Sequence, residues 1–189
     1  MTEYRYDVEI LHLLVSPGHA YFGRARDGAA DVPTADADAA EMVAGKGIVG
    51  DRFFGKAAHM DAAVTLFAVE SLEAIAAELG AEPFNPLLTR RNVVLRGAHL
   101  VPLLGQDFVL ESGGDAVAFH GGRHAQPCAW MNEMLAPGAH ASMRGRGGIR
   151  CRALSSGTLH RGPAVLVSPV PLDPSKAGEA SVLRPSRLP

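Results

Sequence analysis

The chain has 189 residues, 47% of them apolar and 20% charged, which suits one globular domain with a full hydrophobic core. A formal net charge of −2 gives no global reason to expect nucleic acid or an acidic membrane surface as a partner. Two cysteines are too few for a disulfide framework, the start Met1-Thr2-Glu3-Tyr4-Arg5 is polar and unlike a signal peptide, and no segment approaches the roughly 20 apolar residues of a membrane span, so the expected compartment is a reducing cytoplasm.

In chain order, residues 7–15 combine β-branched and leucine positions and stop at Ser16-Pro17-Gly18, the pattern of a strand. Residues 27–41 are rich in alanine and aspartate without apolar periodicity and are expected to be a mobile acidic loop. Further strand patterns lie near 62–68, 92–96, 106–111, 115–120, 149–154 and 163–168, separated by glycine or proline. Helical spacing is found twice. Residues 69–79 place Leu72, Ile75, Ala76 and Leu79 on one face before Gly80, and residues 128–135 do the same with Trp130, Met131, Met134 and Leu135 before Pro137-Gly138. Many short strands with few helices predict a mainly β fold, a closed or nearly closed β-barrel. The domain is expected to end near 168, and residues 169–189, rich in proline, serine and charge, to be disordered.

Cys128 carries the most chemical information. It stands in Gln126-Pro127-Cys128-Ala129-Trp130-Met131, where a β-rich stretch gives way to a helical pattern. A thiol in a first helical turn lies near unpaired N–H groups and the positive end of the helix dipole, which favour the thiolate. A buried inert thiol is the competing reading. Cys151 is different: in Ile149-Arg150-Cys151-Arg152-Ala153 the strand period puts it on the core face, with Arg150 and Arg152 turned the other way.

Charge is unevenly distributed. No Asp or Glu occurs from Met134 to Leu172, a stretch holding Arg144, Arg146, Arg150, Arg152 and Arg161; Pro83 to Gln106 is also acid-free and holds Arg90, Arg91 and Arg96. If the fold gathers some of these near Cys128, the pocket would suit a phosphorylated or oxyanionic guest, because guanidinium forks match such groups. The alternative is solvated surface arginines balanced by the acidic loop. Gly145-Arg146-Gly147-Gly148 could offer backbone N–H groups to an anion or simply make a hairpin into the next strand. Asp51 and Arg52 could line a site or merely cap and pair within a turn. His120, His124 and Cys128 are four apart, but Gly121-Gly122 and Pro127 oppose the helix that would align them as metal ligands. His124 is expected near the pocket and His120 at a strand end.

The ordered series Gly50-Asp51-Arg52-Phe53, Ala63-Val64-Thr65-Leu66-Phe67, Arg90-Arg91-Asn92-Val93-Val94, Leu104-Gly105-Gln106-Asp107-Phe108, Pro127-Cys128 and Gly145-Arg146-Gly147-Gly148 resembles the MOSC domain, named for the C-terminal domain of molybdenum cofactor sulfurase. Ser16-Pro17-Gly18-His19 adds to the likeness, which covers roughly residues 8–168 and is greatest for the small stand-alone bacterial type. The resemblance implies a β-barrel and a role around sulfur, molybdenum or the molybdenum cofactor. It implies Cys128 as a molybdenum ligand or sulfur carrier. It also implies a cofactor-binding set of Asp51, Arg52, Arg90, Arg91, Asn92, Arg146, Gly147 and Gly148; His124, expected near the pocket, is added to that set, and Arg90, Arg91 and Arg146 are expected to face one pocket.

Two activities are consistent with it: reduction of N-hydroxylated compounds with an electron-donor protein as partner, or non-catalytic persulfide transfer from a cysteine desulfurase. A scaffold without chemistry is the third reading. Pyridoxal phosphate is not expected, since the chain has no room for a desulfurase domain. One departure stands out: histidine often follows the Gly-Asp-Arg turn, whereas this chain has Phe53, so a polar contact there is expected to be lost or moved.

Overall fold

The computed structural model describes residues 2–181. In chain order it contains β1 (Tyr4–Val15), β2 (Ala35–Asp36), β3 (Ala39–Val43), β4 (Gly47–Ile48), β5 (Val64–Ala68), α1 (Val69–Leu79), β6 (Val93–Arg96), β7 (Asp107–Ser112), β8 (Asp115–His124), α2 (Trp130–Met134), α3 (Ala139–Ser142), β9 (Ile149–Ala153), β10 (Gly157–His160) and β11 (Gly162–Ser168). Short 3-10 turns punctuate the loops, among them Ala57–Ala62 and Pro86–Thr89.

Seven strands close a barrel in the order β11-β7-β8-β9-β5-β6-β1, with β1 returning to β11. Closure removes free sheet edges from the barrel wall. All its pairs are antiparallel except β5 with β6, which run parallel and are joined by the crossover helix α1. The side-chain period of two explains the burial pattern: Val64, Leu66 and Ala68 of β5, Val93 and Leu95 of β6, and Ile149, Cys151 and Ala153 of β9 fill the interior. On the outside of β5 and β6, Phe67 and Val94 pack beneath α1, α2 and α3 with Leu72, Ile75, Trp130 and Met143. These two strands are thus apolar on both faces, as parallel strands covered by a helix must be. The outward position next to Phe67, at Thr65, is polar and marks where helix cover gives way to the site.

Some expectations need correction. Residues 27–41 are not a loop throughout, because β2 pairs with the end of β1 and β3 pairs with β10 and β4 in a small side sheet. Residues 169–181 pack back on the domain instead of being disordered: Leu172 N donates to Tyr6 Oη at 2.6 Å, Ser71 Oγ donates to the carbonyl of the buried Ala177 at 3.3 Å, and Ser181 N donates to Gly145 O at 3.0 Å. The remainder of that expected tail lies outside the described residues. The second helix starts only at Trp130 and has five residues, so Cys128 precedes it and the helix-dipole argument does not apply to this thiol. Among the described residues, no helix is long and apolar enough to cross a membrane.

Candidate ligand pocket around Cys128

The outer faces of β5 and β9 and the segment leading into β6 meet beneath the 16–34 loop and the start of α2, and between them lies a cavity of about 180 Å³. Cys128 and Pro127 form one wall, Arg52, Arg90, Arg91 and Arg150 the others, with Thr65 between them. Larger depressions of about 600 and 500 Å³ over β7, β8 and β11 hold neither a cysteine nor an arginine among the described residues, so size alone does not select the site.

Two of the expected ligand residues are instead the lock that builds the pocket. Asn92 is buried; its Nδ2 donates to Leu14 O and to Asp51 Oδ2, both at 3.1 Å, and its Oδ1 accepts from Thr65 N and Thr65 Oγ1 at 3.1 and 2.8 Å. Asp51, with no exposed side-chain surface, also accepts from Phe53 N at 3.1 Å and pairs with Arg52 at 3.3 Å. Every strong hydrogen-bonding group of the pair is used to tie β1, β5, β6 and the Gly50-Asp51 turn together, which leaves little for a ligand.

The four arginines divide their work. Arg90 holds a left-handed backbone (φ 54°), rare for a residue with a side chain. Its guanidinium donates to Ser16 Oγ, Gly18 O and Thr34 Oγ1 at 2.9–3.1 Å, anchoring the 16–34 loop over the site. That loop brings His19 and Tyr21 to the pocket; Tyr21 stacks on Trp130 (centroids 5.3 Å apart) and donates to Leu88 O at 2.7 Å. Arg91 is buried and donates to Ala125 O at 3.0 Å and Gln126 O at 3.3 Å, the carbonyls just before Pro127-Cys128. Arg52 donates to Asp51 and to Arg90 O. Arg150 projects outward from β9, and among the described residues it has no hydrogen-bonding or ion-pair partner. The buried Nε atoms of Arg52 and Arg91 have no partner either.

Burial, and second to it the nearby like charges, lower the arginines of the pocket. Burial, then Arg150, pulls Arg91 down to about 10, while a Cys128 thiolate would pull it back up. Burial likewise lowers Arg52, with Asp51 opposing, and lowers Arg150, with Arg123 adding to the effect. His19 is lowered by burial and then by Arg52, Lys56 and Arg90, so it is neutral at neutral pH. Cys128 is exposed at the mouth; Cys151 is buried, and burial pushes its thiol well up.

Other expected site residues lie elsewhere. Arg146 does not face the pocket: it pairs with Glu78 at 2.6 Å, reaches Gly178 O at 3.4 Å, and so fastens α1 to the returning chain end. Gly147 and Gly148 are close-packing positions, where a Cβ would overlap Ala125 O and Leu66 O respectively. Gly147 thereby lets the segment before Cys128 settle against Arg91, and Ala125 N donates to Gly148 O at 2.8 Å. His124 is opposite Ile149, on the register facing away from the pocket, and His120 pairs with Asp107 at 2.7 Å. Phe53 lines the pocket, its ring touched by His19 and His59 with centroids 5.1 and 4.8 Å away. Among the described residues, no three His, Cys, Asp or Glu side chains converge as metal ligands. His19, Tyr21 and Arg150 were not singled out as site residues from sequence, although Arg150 lies in an acid-free stretch and alternates away from the core in β9, and His19 ends the Ser16-Pro17-Gly18-His19 motif.

The MOSC domain family model matches residues 45–166, from the turn after β3 into β11. No curated protein sequence matches the chain. Among solved structures, the YuaD protein from Bacillus subtilis is 19% identical with a TM-score of 0.66, covering 88% of this chain and 98% of its own. YiiM from Geobacillus stearothermophilus is 18% identical (TM-score 0.58; 84% of this chain and 74% of that one). YiiM from Escherichia coli is 17% identical (TM-score 0.56; 94% and 75%). At such identities these likenesses show a shared fold and no more. The family match itself extends over well more than half of the sequence, and the chain belongs to the MOSC domain family.

Proposed function

We propose that the pocket binds an anionic metal cofactor of the molybdenum cofactor type, with Cys128 as its thiolate ligand. The observation that carries this reading is an exposed thiol beside Arg52, Arg91 and Arg150, where two buried guanidinium Nε atoms and the whole Arg150 head group lack partners. Buried unpaired donors are costly unless a ligand or water satisfies them. A thiolate is a soft donor suited to molybdenum, and guanidinium forks suit phosphate or oxo groups, so the residues fit the cofactor. At about 180 Å³ the cavity is below the usual range for a whole cofactor, so one end would enter and the rest would lie across the mouth.

When bound, the cofactor supplies the oxidation–reduction and atom-transfer chemistry. The chain's own residues do the rest. Arg91 and Gly147 hold the Ala125-Gln126 backbone so that Cys128 is presented at the mouth. Arg90 closes the 16–34 loop over one side, and Tyr21, Met131 and Phe53 exclude water. His19, neutral at physiological pH, can accept a proton there. In this reading reduction of N-hydroxylated compounds, with electrons from a partner protein, is the reaction class. A second reading rests on the exposure of Cys128: an accessible thiol can take a persulfide sulfur from a cysteine desulfurase and pass it on.

Elemental analysis and intact-mass measurement separate the two. Stoichiometric molybdenum that disappears in Cys128→Ala supports the cofactor reading. Metal-free protein whose Cys128 gains one sulfur from a desulfurase supports the carrier. A Cys128→Ala chain unchanged in metal content and sulfur loading overturns both.

A further inference from the structure

Thr65, Arg150 and Arg123 form a row across three neighbouring strands: Thr65 of β5 is the partner of Arg150 in β9, and Arg150 is the partner of Arg123 in β8. Cross-strand partners project from the same face of a sheet. Thr65 and Arg150 line the Cys128 pocket, and Arg123, one strand further on, lines a second cavity of about 270 Å³ under the Ala57–Ala62 turn. The row therefore leads from the pocket to the strand beside it.

Arg123 holds this place only because of a bulge. The register of β8 against β9 shifts between Gly121 and Arg123, so Gly122 is the extra residue. Without the shift, Arg123 would be opposite Ile149 and would aim its charge at the core. Gly122 is confined between two carbonyls, where a Cβ would come within 2.9 Å of Asp61 O and 3.2 Å of Arg150 O. Such bulges re-aim side chains beside functional sites.

The outcome is two like charges directly opposed, an arrangement that weakens a strand pair. Neither guanidinium has a carboxylate partner among the described residues, although the next outward arginine on β9, Arg152, pairs with Asp61 at 3.2 Å. A carboxylate is therefore close by yet neutralises a different arginine. A bound anion would relieve the repulsion, and two guanidinium forks match the near-dianionic charge and the several oxygens of a phosphate.

We propose that Arg123 and Arg150 form a two-arginine oxyanion site beside the Cys128 pocket, which takes a phosphate group carried by the ligand whose other end reaches the thiol. This rests on reading the pocket as a site for an anionic cofactor.

Isothermal titration and thermal denaturation of the purified full-length chain with inorganic phosphate, using chloride at matched ionic strength as control, test it. Phosphate raises the Tm of the unsubstituted chain more than chloride does. Arg123→Gln weakens phosphate binding by at least about tenfold, the loss expected for one charge-assisted hydrogen bond, and its Tm without phosphate is higher than the parent's because the opposed charge is gone. Arg123→Lys, which keeps the charge, binds more tightly than Arg123→Gln, and Arg5→Gln, which removes an exposed arginine of β1 paired with Glu111, binds as the parent does. Equal phosphate affinity in Arg123→Gln and the parent overturns the site, as does a Tm rise that chloride reproduces. Exclusion of glycerol 3-phosphate while inorganic phosphate binds overturns the assignment to a carried phosphate. Cys128→Ala retains phosphate binding, so loss of the thiol chemistry and loss of the two-arginine site are read separately.

Discussion

Arg91 donates to the carbonyl of Ala125 at 3.0 Å from a buried position, and a Cβ on Gly147 would overlap that same oxygen. Three sequence motifs far apart in the chain, Arg-Arg-Asn, Pro-Cys and the glycine run, thus meet at one peptide unit, three residues before the thiol. Arg91→Met leaves the Ala125 and Gln126 carbonyls unpaired and is expected to destabilise the fold by about 1–3 kcal/mol. Urea denaturation measures this. Alkylation of Cys128 should change in rate as well, because the segment presenting it is freed; a rate equal to the parent's would show that Arg91 does not position the thiol.

Asn92 and Asp51 are structural, so their loss should unfold the site before it alters any ligand contact. Asn92→Ala breaks bonds to Thr65, Leu14 and Asp51 together and should cost about 2–4 kcal/mol. Urea midpoints within experimental error of the parent would instead return Asn92 to the role of a ligand contact.

Arg146 holds the chain end and not the ligand. Arg146→Met should leave Cys128 alkylation unchanged while exposing residues 169–181 to proteolysis, since the Glu78 pair and the Gly178 contact are lost. With Glu78 about half exposed, the stability cost should stay near 1 kcal/mol or below. A chain end as protease-resistant as the parent's would contradict this.

The two cysteines should separate under a thiol reagent. In the native state Cys128 reacts and Cys151, buried in the barrel, does not; both react after unfolding. Intact mass after brief alkylation counts the modified thiols, and modification of Cys151 in folded protein would contradict its place in the core.

Much of the barrel was legible because strands such as β9 alternate: Ile149, Cys151 and Ala153 face the core while Arg150 and Arg152 face out. β5, apolar on both faces under α1, was legible as a short apolar run running into a helical pattern. β3 was not legible: its Ala39-Ala40-Glu41 has little strand propensity and is held by β10, more than a hundred residues later. The arginine-rich pocket was half legible. Acid-free stretches flagged the arginines, but which of them meet depends on tertiary register. Arg146 and Arg150 are four residues apart, yet one ends on Glu78 and the other in the pocket. His19 and Tyr21 were illegible as site residues because only the Arg90 anchor, with its left-handed backbone, brings their loop over the thiol.

Stability should fall on mild acidification. Burial lowers His19, His99 and His124 from their ordinary value near 6.5, so below that pH the unfolded chain binds more protons than the folded one. Stability is then complete above about pH 7 and is lost as pH falls through 6.5 toward the lowered folded values. His99, whose Nδ1 is buried without a partner, contributes to this, so His99→Phe should flatten the slope. Tm measured from pH 8 to 5 checks it; a Tm that rises on acidification would have the wrong sign.

Cys128 reacts inside a cluster of positive charge. The direct measurement compares its second-order alkylation rates with iodoacetate, an anion, and iodoacetamide, its neutral counterpart. The expected iodoacetate-to-iodoacetamide ratio is above that of glutathione, falls as salt is added and falls again in Arg150→Gln. A ratio at or below that of glutathione, indifferent to salt and to Arg150, would contradict it.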